Sequence, residues 1–152
     1  MKLDRYELKA GKNLTVFEFI SDGPRGQISK LIQFTPTNYK DLYNLAFGDK
    51  HTETGQIDDS VISNNGDSER VLATVVATVY AFTDKYPEAW IYATGSTKAR
   101  TRLYRMGISK YLEDAKKDFV IFGQVHNEWE AFVVGLDCEA FVVKRKNRKF
   151  EL

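Results

Sequence analysis

The stretch "LTVFEFISDGPRGQISKLIQF", residues 14–34, decides the fold of this chain. Two apolar segments, 16–20 and 28–34, flank the sequence "DGPRG", whose glycines and proline favour a tight turn. Two apolar segments of strand length joined by a short turn are typical of a β-hairpin. The sequence therefore predicts an N-terminal hairpin, around which the rest of the chain has to be organised.

Further strands are predicted on both sides of this hairpin. Residues 5–10 ("RYELKA"), 42–48 ("LYNLAFG"), 56–62 ("QIDDSVI") and 89–93 ("AWIYA") have the length and composition of short strands. The C-terminal segment "DFVIFGQVHNEWEAFVVGLDCEAFVVKRK" predicts a three-strand meander with turns at 126–128 and 135–137.

Two helices are predicted between these strands. The first follows the capping residues of "SNNGDSER" and is apolar nearly all round over 71–86, which indicates a buried helix that stops before Pro87. The second, over 97–117, is cationic, and a break is expected near Gly107. On this helix Ala99, Leu103 and Met106 are expected to face the core. The prediction is a single α+β domain over 1–152, with a mostly antiparallel sheet packed against two helices.

Composition limits the classes of function. The formal net charge is only +1 over 152 residues, so a nucleic-acid site has to depend on local clustering of cations. A single cysteine excludes an internal disulfide framework, and the acidic neighbours of Cys138 favour a buried structural thiol over a nucleophile. The sequence shows neither a signal peptide nor an apolar run of transmembrane length. We therefore expect a cytoplasmic protein without a membrane partner, whose oligomeric state the sequence does not give.

The segment "TGSTKARTRLYRM", residues 94–106, carries the strongest functional signal. It begins a helix with cations, whose charge opposes the helix dipole unless an anion lies nearby. Free backbone amides and hydroxyls at a helix start bind phosphate, and guanidinium groups suit the same ligand. The candidate ligand-binding residues are Ser96, Thr97, Lys98, Arg100, Arg102 and Arg105. The anion is either an external phosphate-bearing ligand such as nucleic acid, an acidic protein partner, or the acidic segment 51–69 of the same chain.

A second basic segment lies near the C-terminus. The sequence "KRKNRK" supplies a possible accessory patch made of Lys144, Arg145, Lys146, Arg148 and Lys149. Such a run either adds phosphate contacts or only keeps the protein soluble.

Catalytic and metal-binding patterns are weak in this sequence. His51 and His126 are the only histidines, and neither has the spacing of a metal ligand pair or of a catalytic triad. Asp58 and Asp59 are expected on opposite faces of a strand, which is unsuited to holding one ion. We expect no metal site, and the sequence leaves open whether the protein is an enzyme.

Several long strings resemble a known family. "YNLAFGD", "TGQIDDSVISNNGD", "VLATVVATVYAFTDKYP" and "GSTKARTRLYRMGI" together look like a domain of unknown function found in small bacterial proteins. This resemblance implies bacterial origin and a single compact domain, and it implies no activity or catalytic residues.

A second resemblance covers residues 56–125. The predicted order strand, helix, strand, helix, strand is similar to the later half of Gcn5-type N-acetyltransferases. "STKARTRLYRMGI" resembles their N-x-x-A-x-x-L-Y-x-x-x-G-F pattern at Ala99, Leu103, Tyr104 and Gly107. The resemblance implies coenzyme A as cofactor and Tyr104 as a general acid near the thioester sulfur; without it, no cofactor is expected.

Overall fold

The computed structural model describes residues 4–58, 65–94 and 98–146, with backbone alone for 98–100, 103 and 104. Within these residues the chain forms nine strands, mostly antiparallel, and two α-helices, which confirms the α+β class. The strands are β1 (Lys9–Ala10), β2 (Val16–Gly23), β3 (Gly26–Pro36), β4 (Leu42–Lys50), β5 (Ile57–Asp58), β6 (Trp90–Ala93), β7 (Phe119–Val125), β8 (Glu128–Ala131) and β9 (Ala140–Arg145). The helices are α1 (Ser68–Lys85) and α2 (Lys98–Asp118), and a 3-10 turn covers Lys12–Leu14.

The fold divides into two compact units. Unit 1 comprises the described residues of Met1–Thr35 and Leu45–Phe82, and unit 2 those of Pro36–Asn44 and Thr83–Leu152. The single domain predicted over 1–152 stays a prediction.

The N-terminal hairpin is confirmed in unit 1. Strands β2 and β3 pair from Val16↔Gln33 to Gly23↔Gly26, and two residues connect them. Gly26 has φ +88°, a conformation that favours glycine and closes the turn. Because side chains alternate across a strand, Phe17 and Phe19 are buried.

The core of unit 1 is rich in aromatic rings and is closed by α1. The Phe34 and Phe82 rings are stacked with centroids 4.2 Å apart, and Phe82 is completely buried. Threonines in the buried part of α1 satisfy their hydroxyls on the helix backbone, as when Thr74 Oγ1 donates to the Arg70 carbonyl at 2.7 Å. The predicted buried helix is therefore confirmed. Its threonines can be buried because their hydroxyl groups are hydrogen-bonded to the helix backbone.

Two predicted strands are shorter in the structure. Residues 5–10 contribute only Lys9–Ala10 to the sheet, because the backbone amide of Tyr6 instead donates to Thr74 Oγ1 at 2.9 Å. Of the strand predicted over 56–62, only Ile57–Asp58 is described, paired with β4, and 59–62 lie outside the described residues.

The strands of unit 2 follow the order β6-β9-β7-β8. The C-terminal strands are antiparallel as predicted, but their order differs from a simple meander because β9 pairs with β7 and β6 rather than β8. The burial of each strand explains this order. Strand β9 begins with the buried Ala140 and Phe141, whereas all four residues of β8 are exposed and suit an edge. The predicted turn at 126–128 is present, with positive φ at both His126 and Asn127, as a tight hairpin requires.

Helix α2 corrects two predictions. It continues without interruption through Gly107, since a single glycine costs a helix only about 1 kcal/mol. Met106, which was expected in the core, is 54% exposed, while Gly107 and Leu112 are buried. Within the described part of the chain, neither helix has the length and hydropathy to cross a bilayer.

Candidate functional site

The predicted basic site at the start of α2 is described only in part. Ser96 and Thr97 lie outside the described residues. Lys98, Arg100 and Tyr104 belong to α2, but their side chains are not described. The part of the site whose side chains are described therefore consists of Arg102, Arg105 and the residues of α2 that follow them.

Arg102 lies on an exposed face of α2. Met106 and Lys110 follow it at intervals of four residues and are exposed as well. Residues four apart are neighbours on one side of a helix, so these three form a solvent-facing basic row. The Lys110 ammonium lies 5.8 Å from the ring centroid of Tyr111. We call these three residues the basic row; it consists of the two cations Arg102 and Lys110 and of Met106 between them.

Arg105 has a carboxylate partner within unit 2. Its Nη1 donates to Asp137 Oδ1 at 2.5 Å. The Arg105 side chain is 28% exposed and that of Asp137 is 96% exposed, so water surrounds one side of the pair. An ion pair of this kind contributes little to stability and can exchange its carboxylate for another anion. The sequence indicated the cation but not Asp137, which lies 32 residues away.

The accessory basic patch is divided by the structure. Arg145 Nη2 lies 2.8 Å from both Asp84 Oδ1 and Thr83 Oγ1, and Lys144 Nζ lies 3.6 Å from Glu88 Oε2. Lys146 is exposed. Arg148 and Lys149 lie outside the described residues. Two of the five predicted cations are thus engaged with acidic residues at and after the end of α1, and no signal near these cations in the sequence indicated those partners.

The acidic segment 51–69 contains a half-buried structural carboxylate in unit 1. Asp67 Oδ2 accepts hydrogen bonds from the hydroxyls of Tyr6 and Ser21, both at 2.5 Å. Burial, and next the hydrogen bond to Asp67, raise the pKa of Tyr6 above its ordinary value of 10.0. Asn65 donates to the Ser21 hydroxyl at 3.2 Å. Asp67 therefore joins the start of α1 to β2.

Cys138, which the sequence predicts to be a structural thiol, and His51 both lie outside the basic site. Cys138 is 3% exposed, and burial raises the pKa of its thiol, so a reactive thiolate is disfavoured. His51 accepts backbone hydrogen bonds at Nδ1 from Glu53 and Thr54 and thereby caps a turn. Among the residues that the structure describes, no three His, Cys, Asp or Glu side chains are grouped to hold a metal ion.

A groove of about 620 Å³ is lined by the N-terminal segment, the β2–β3 hairpin and α1, entirely within unit 1. Its lining includes Tyr6, Leu8, Ile20, Asp22, Ser29 and Arg70. Sequence reasoning missed this unit 1 groove, although the alternation in "EFISD" placed Glu18, Ile20 and Asp22 on one face of β2. Ile20 is 50% exposed and presents apolar surface on this face of β2.

Comparison with known proteins gives one match. A family model described as "Family of unknown function (DUF6934)" matches residues 2–146, which is nearly the whole chain. A search of curated proteins and a search of solved structures each found no match. The family match confirms the resemblance to a domain of unknown function, whereas bacterial origin and the likeness to Gcn5-type acetyltransferases stay predictions.

Proposed function

We propose that this chain, which belongs to the Family of unknown function (DUF6934), binds a phosphate-bearing polyanion, nucleic acid in particular, through the basic row of α2. The observation that supports this proposal most is that Arg102 and Lys110 are exposed on one side of the same continuous helix. Eight residues separate them, which is about 12 Å along the helix axis. Two cations held at this spacing can contact two phosphates of one strand, and each contact releases counterions.

The exposed Met106 adds a non-electrostatic contact to the basic row. It is 54% exposed between the two cations. A flexible thioether side chain packs well against irregular apolar surfaces, including the face of a nucleobase. We therefore expect a preference for single strands, whose bases are accessible, over a duplex.

Arg105 joins the same binding surface when a phosphate of the ligand replaces Asp137 as its ion-pair partner. Because its ion pair with Asp137 is open to water, a phosphate can take the place of the carboxylate at little cost. Lys98, Arg100, Ser96 and Thr97 are proposed to continue the binding surface toward the start of the helix, as their sequence predicts.

Fluorescence anisotropy with a labelled single-stranded oligonucleotide tests this proposal. The variant Arg102→Ala with Lys110→Ala should bind at least about tenfold more weakly than wild type. Between about 50 and about 200 mM salt, the slope of log affinity against log salt should fall by about 1 to 2 in the variant, because two phosphate contacts are lost.

A matched control is available on the same helix. Lys116→Ala with Lys117→Ala removes two exposed lysines that are paired with Glu113 and Asp114 at i,i−3 positions. This control removes the same charge from α2 outside the basic row and should change affinity and salt slope much less. Equal losses in both double variants would show that bulk charge, and not the basic row, accounts for binding, and the proposal would be wrong.

The alternatives from the sequence separate from this proposal by simple measurements. An acidic protein partner would be mimicked by polyglutamate, so polyglutamate that displaces the oligonucleotide at equal charge would favour a protein ligand. An acyltransferase with a coenzyme A site would gain thermal stability from millimolar coenzyme A. We expect no such gain.

A further inference from the structure

Tyr6 contacts two oppositely charged residues of the unit 1 groove, Arg70 and Asp22. The guanidinium carbon of Arg70 lies 4.1 Å from the centroid of the Tyr6 ring. The hydroxyl oxygen of the same side chain accepts a hydrogen bond of 3.0 Å from the Asp22 backbone amide. Since Tyr6 is only 6% exposed and is bonded to Asp67, its position is fixed by the core. The groove therefore has the Arg70 guanidinium over the face of the Tyr6 ring and the Asp22 backbone at the hydroxyl of the same ring.

Both charged groups are available to a ligand. The Arg70 side chain is 46% exposed, and its ion pair with Asp4 is long, at 3.9 Å, with Asp4 93% exposed. The Asp22 side chain is exposed, and among the described residues no ion pair involves it. In contrast, Glu18, which also lines the groove, is paired with Lys50 at 2.7 Å. The exposed charged residues of the lining are thus two cations, Lys9 and Arg70, and two carboxylates, Glu7 and Asp22.

The remaining walls combine an apolar floor with neutral hydrogen-bonding groups. Ile20 and the half-buried Leu8 supply apolar surface, while Gln27 and Ser29 of β3 supply amide and hydroxyl groups. The volume of about 620 Å³ lies within the range of sites that take small ligands. Amide and hydroxyl side chains beside an apolar surface suit a ligand that carries peptide groups and apolar side chains.

We infer that the unit 1 groove binds a short peptide with free termini, a ligand that carries both an ammonium and a carboxylate group. The terminal carboxylate lies against the Arg70 guanidinium, whose paired N–H groups match a carboxylate. The terminal ammonium lies against the Asp22 carboxylate, and an apolar side chain of the peptide covers Ile20. This inference does not depend on polyanion binding, because every residue that it uses belongs to unit 1 and the basic row belongs to unit 2.

Isothermal titration calorimetry with the tripeptide alanyl-leucyl-alanine tests this inference. The free tripeptide should bind wild type, and both N-acetylation and C-amidation should weaken binding about tenfold or more, as expected for the loss of a charged hydrogen bond. Arg70→Gln should weaken binding of the free peptide and abolish the effect of C-amidation. Asp22→Asn should abolish the effect of N-acetylation but not that of C-amidation.

Controls of equal charge lie in the same unit. Arg25→Gln and Glu53→Gln change exposed residues that do not line the groove, and each should leave affinity within about twofold of wild type. Melting curves show which variants are folded. If Arg70→Gln does not fold, the comparison of free and blocked peptides on wild type and on Asp22→Asn decides the question.

Two results would overturn the inference. One is the absence of binding by any form of the tripeptide at millimolar concentration. The other is equal binding of free and blocked tripeptides to wild type, because the charged groups would then contribute nothing. Neither result affects the oligonucleotide measurement on the basic row, so the two proposals fail separately.

Discussion

The hydroxyl of Tyr6 donates to Oδ2 of Asp67 at 2.5 Å and thereby joins the N-terminal segment to the residue that precedes α1. The same carboxylate oxygen also accepts from Ser21, which is completely buried. A carboxylate in such surroundings depends on its hydrogen-bond donors, because water cannot easily replace them.

Removal of the phenol oxygen should destabilise the fold. In Tyr6→Phe the ring stays in its stack with Phe19, whose centroid lies 5.5 Å away, but Asp67 loses one donor. We expect the free energy of unfolding to fall by roughly 1–3 kcal/mol, measured by urea denaturation at neutral pH. Tyr39→Phe is the matched control, because Tyr39 is 75% exposed, and it should have an effect near zero. Equal stability of wild type and Tyr6→Phe would contradict the assigned role of this hydrogen bond.

The stability of the protein should also depend on Tyr6 at alkaline pH. The pKa of Tyr6 is raised in the folded state, so the folded protein holds this proton more tightly than the unfolded chain does. The corresponding stabilisation is fully present below the ordinary pKa of 10.0 and is lost as pH rises through the higher folded value. Denaturation at about pH 8 and about pH 11 should therefore show a larger loss in wild type than in Tyr6→Phe. Identical losses in the two proteins would rule out this linkage.

The ion pair between Lys30 and Asp49 should matter more than the pair between Lys50 and Glu18. The side chains of Lys30 and Asp49 are 6% and 12% exposed, whereas those of Lys50 and Glu18 are 37% and 23% exposed. Asp49→Asn leaves a buried ammonium without this partner and should cost roughly 3–5 kcal/mol of unfolding free energy. Glu18→Gln should cost about 1 kcal/mol or less, because water reaches that pair. Chemical denaturation of the two variants under one condition checks the order, and a reversed order would contradict it.

The side chain of Arg145 should contribute to the free energy of unfolding, and that of Lys146 should not. The Arg145 guanidinium contacts Asp84 and Thr83 and lies 5.2 Å from the centroid of the Phe119 ring. Arg145→Ala should lower the free energy of unfolding by roughly 1–3 kcal/mol, while Lys146→Ala, at an exposed position, should change it by less than about 0.5 kcal/mol. Thermal denaturation of both variants gives the comparison. If instead Arg145→Ala melted like wild type, the contacts of its guanidinium would be of no energetic importance.

The sequence predicted the elements whose signals are local. The hairpin of 14–34 and the buried helix that stops before Pro87 were both recognised, because a turn and an apolar period depend on neighbouring residues. Along α2 the same approach recognised the helix but not its orientation. Met106 was assigned to the core on the spacing of its own helix, but it is 54% exposed in the structure.

The candidate sites depended still more on distant residues. Arg102 and Arg105 were recognised from their positions on one helix. Nothing near them in the sequence indicated that Arg105 would pair with Asp137 or that Arg102 would be exposed. The unit 1 groove could not be predicted, since it joins Tyr6 to Arg70 across more than sixty residues of chain.

The amino-acid sequence by itself thus determined the α+β class, the hairpin, the two helices and the concentration of cations on α2, because propensity, turn chemistry and periodicity act over a few residues. Only the tertiary structure decided that β9 lies between β6 and β7, that Arg145 is engaged by Asp84, and that Arg70 and Asp22 border one groove. These relationships come from burial and charge pairing between segments far apart in the chain, and no local pattern encodes which distant partner a residue meets.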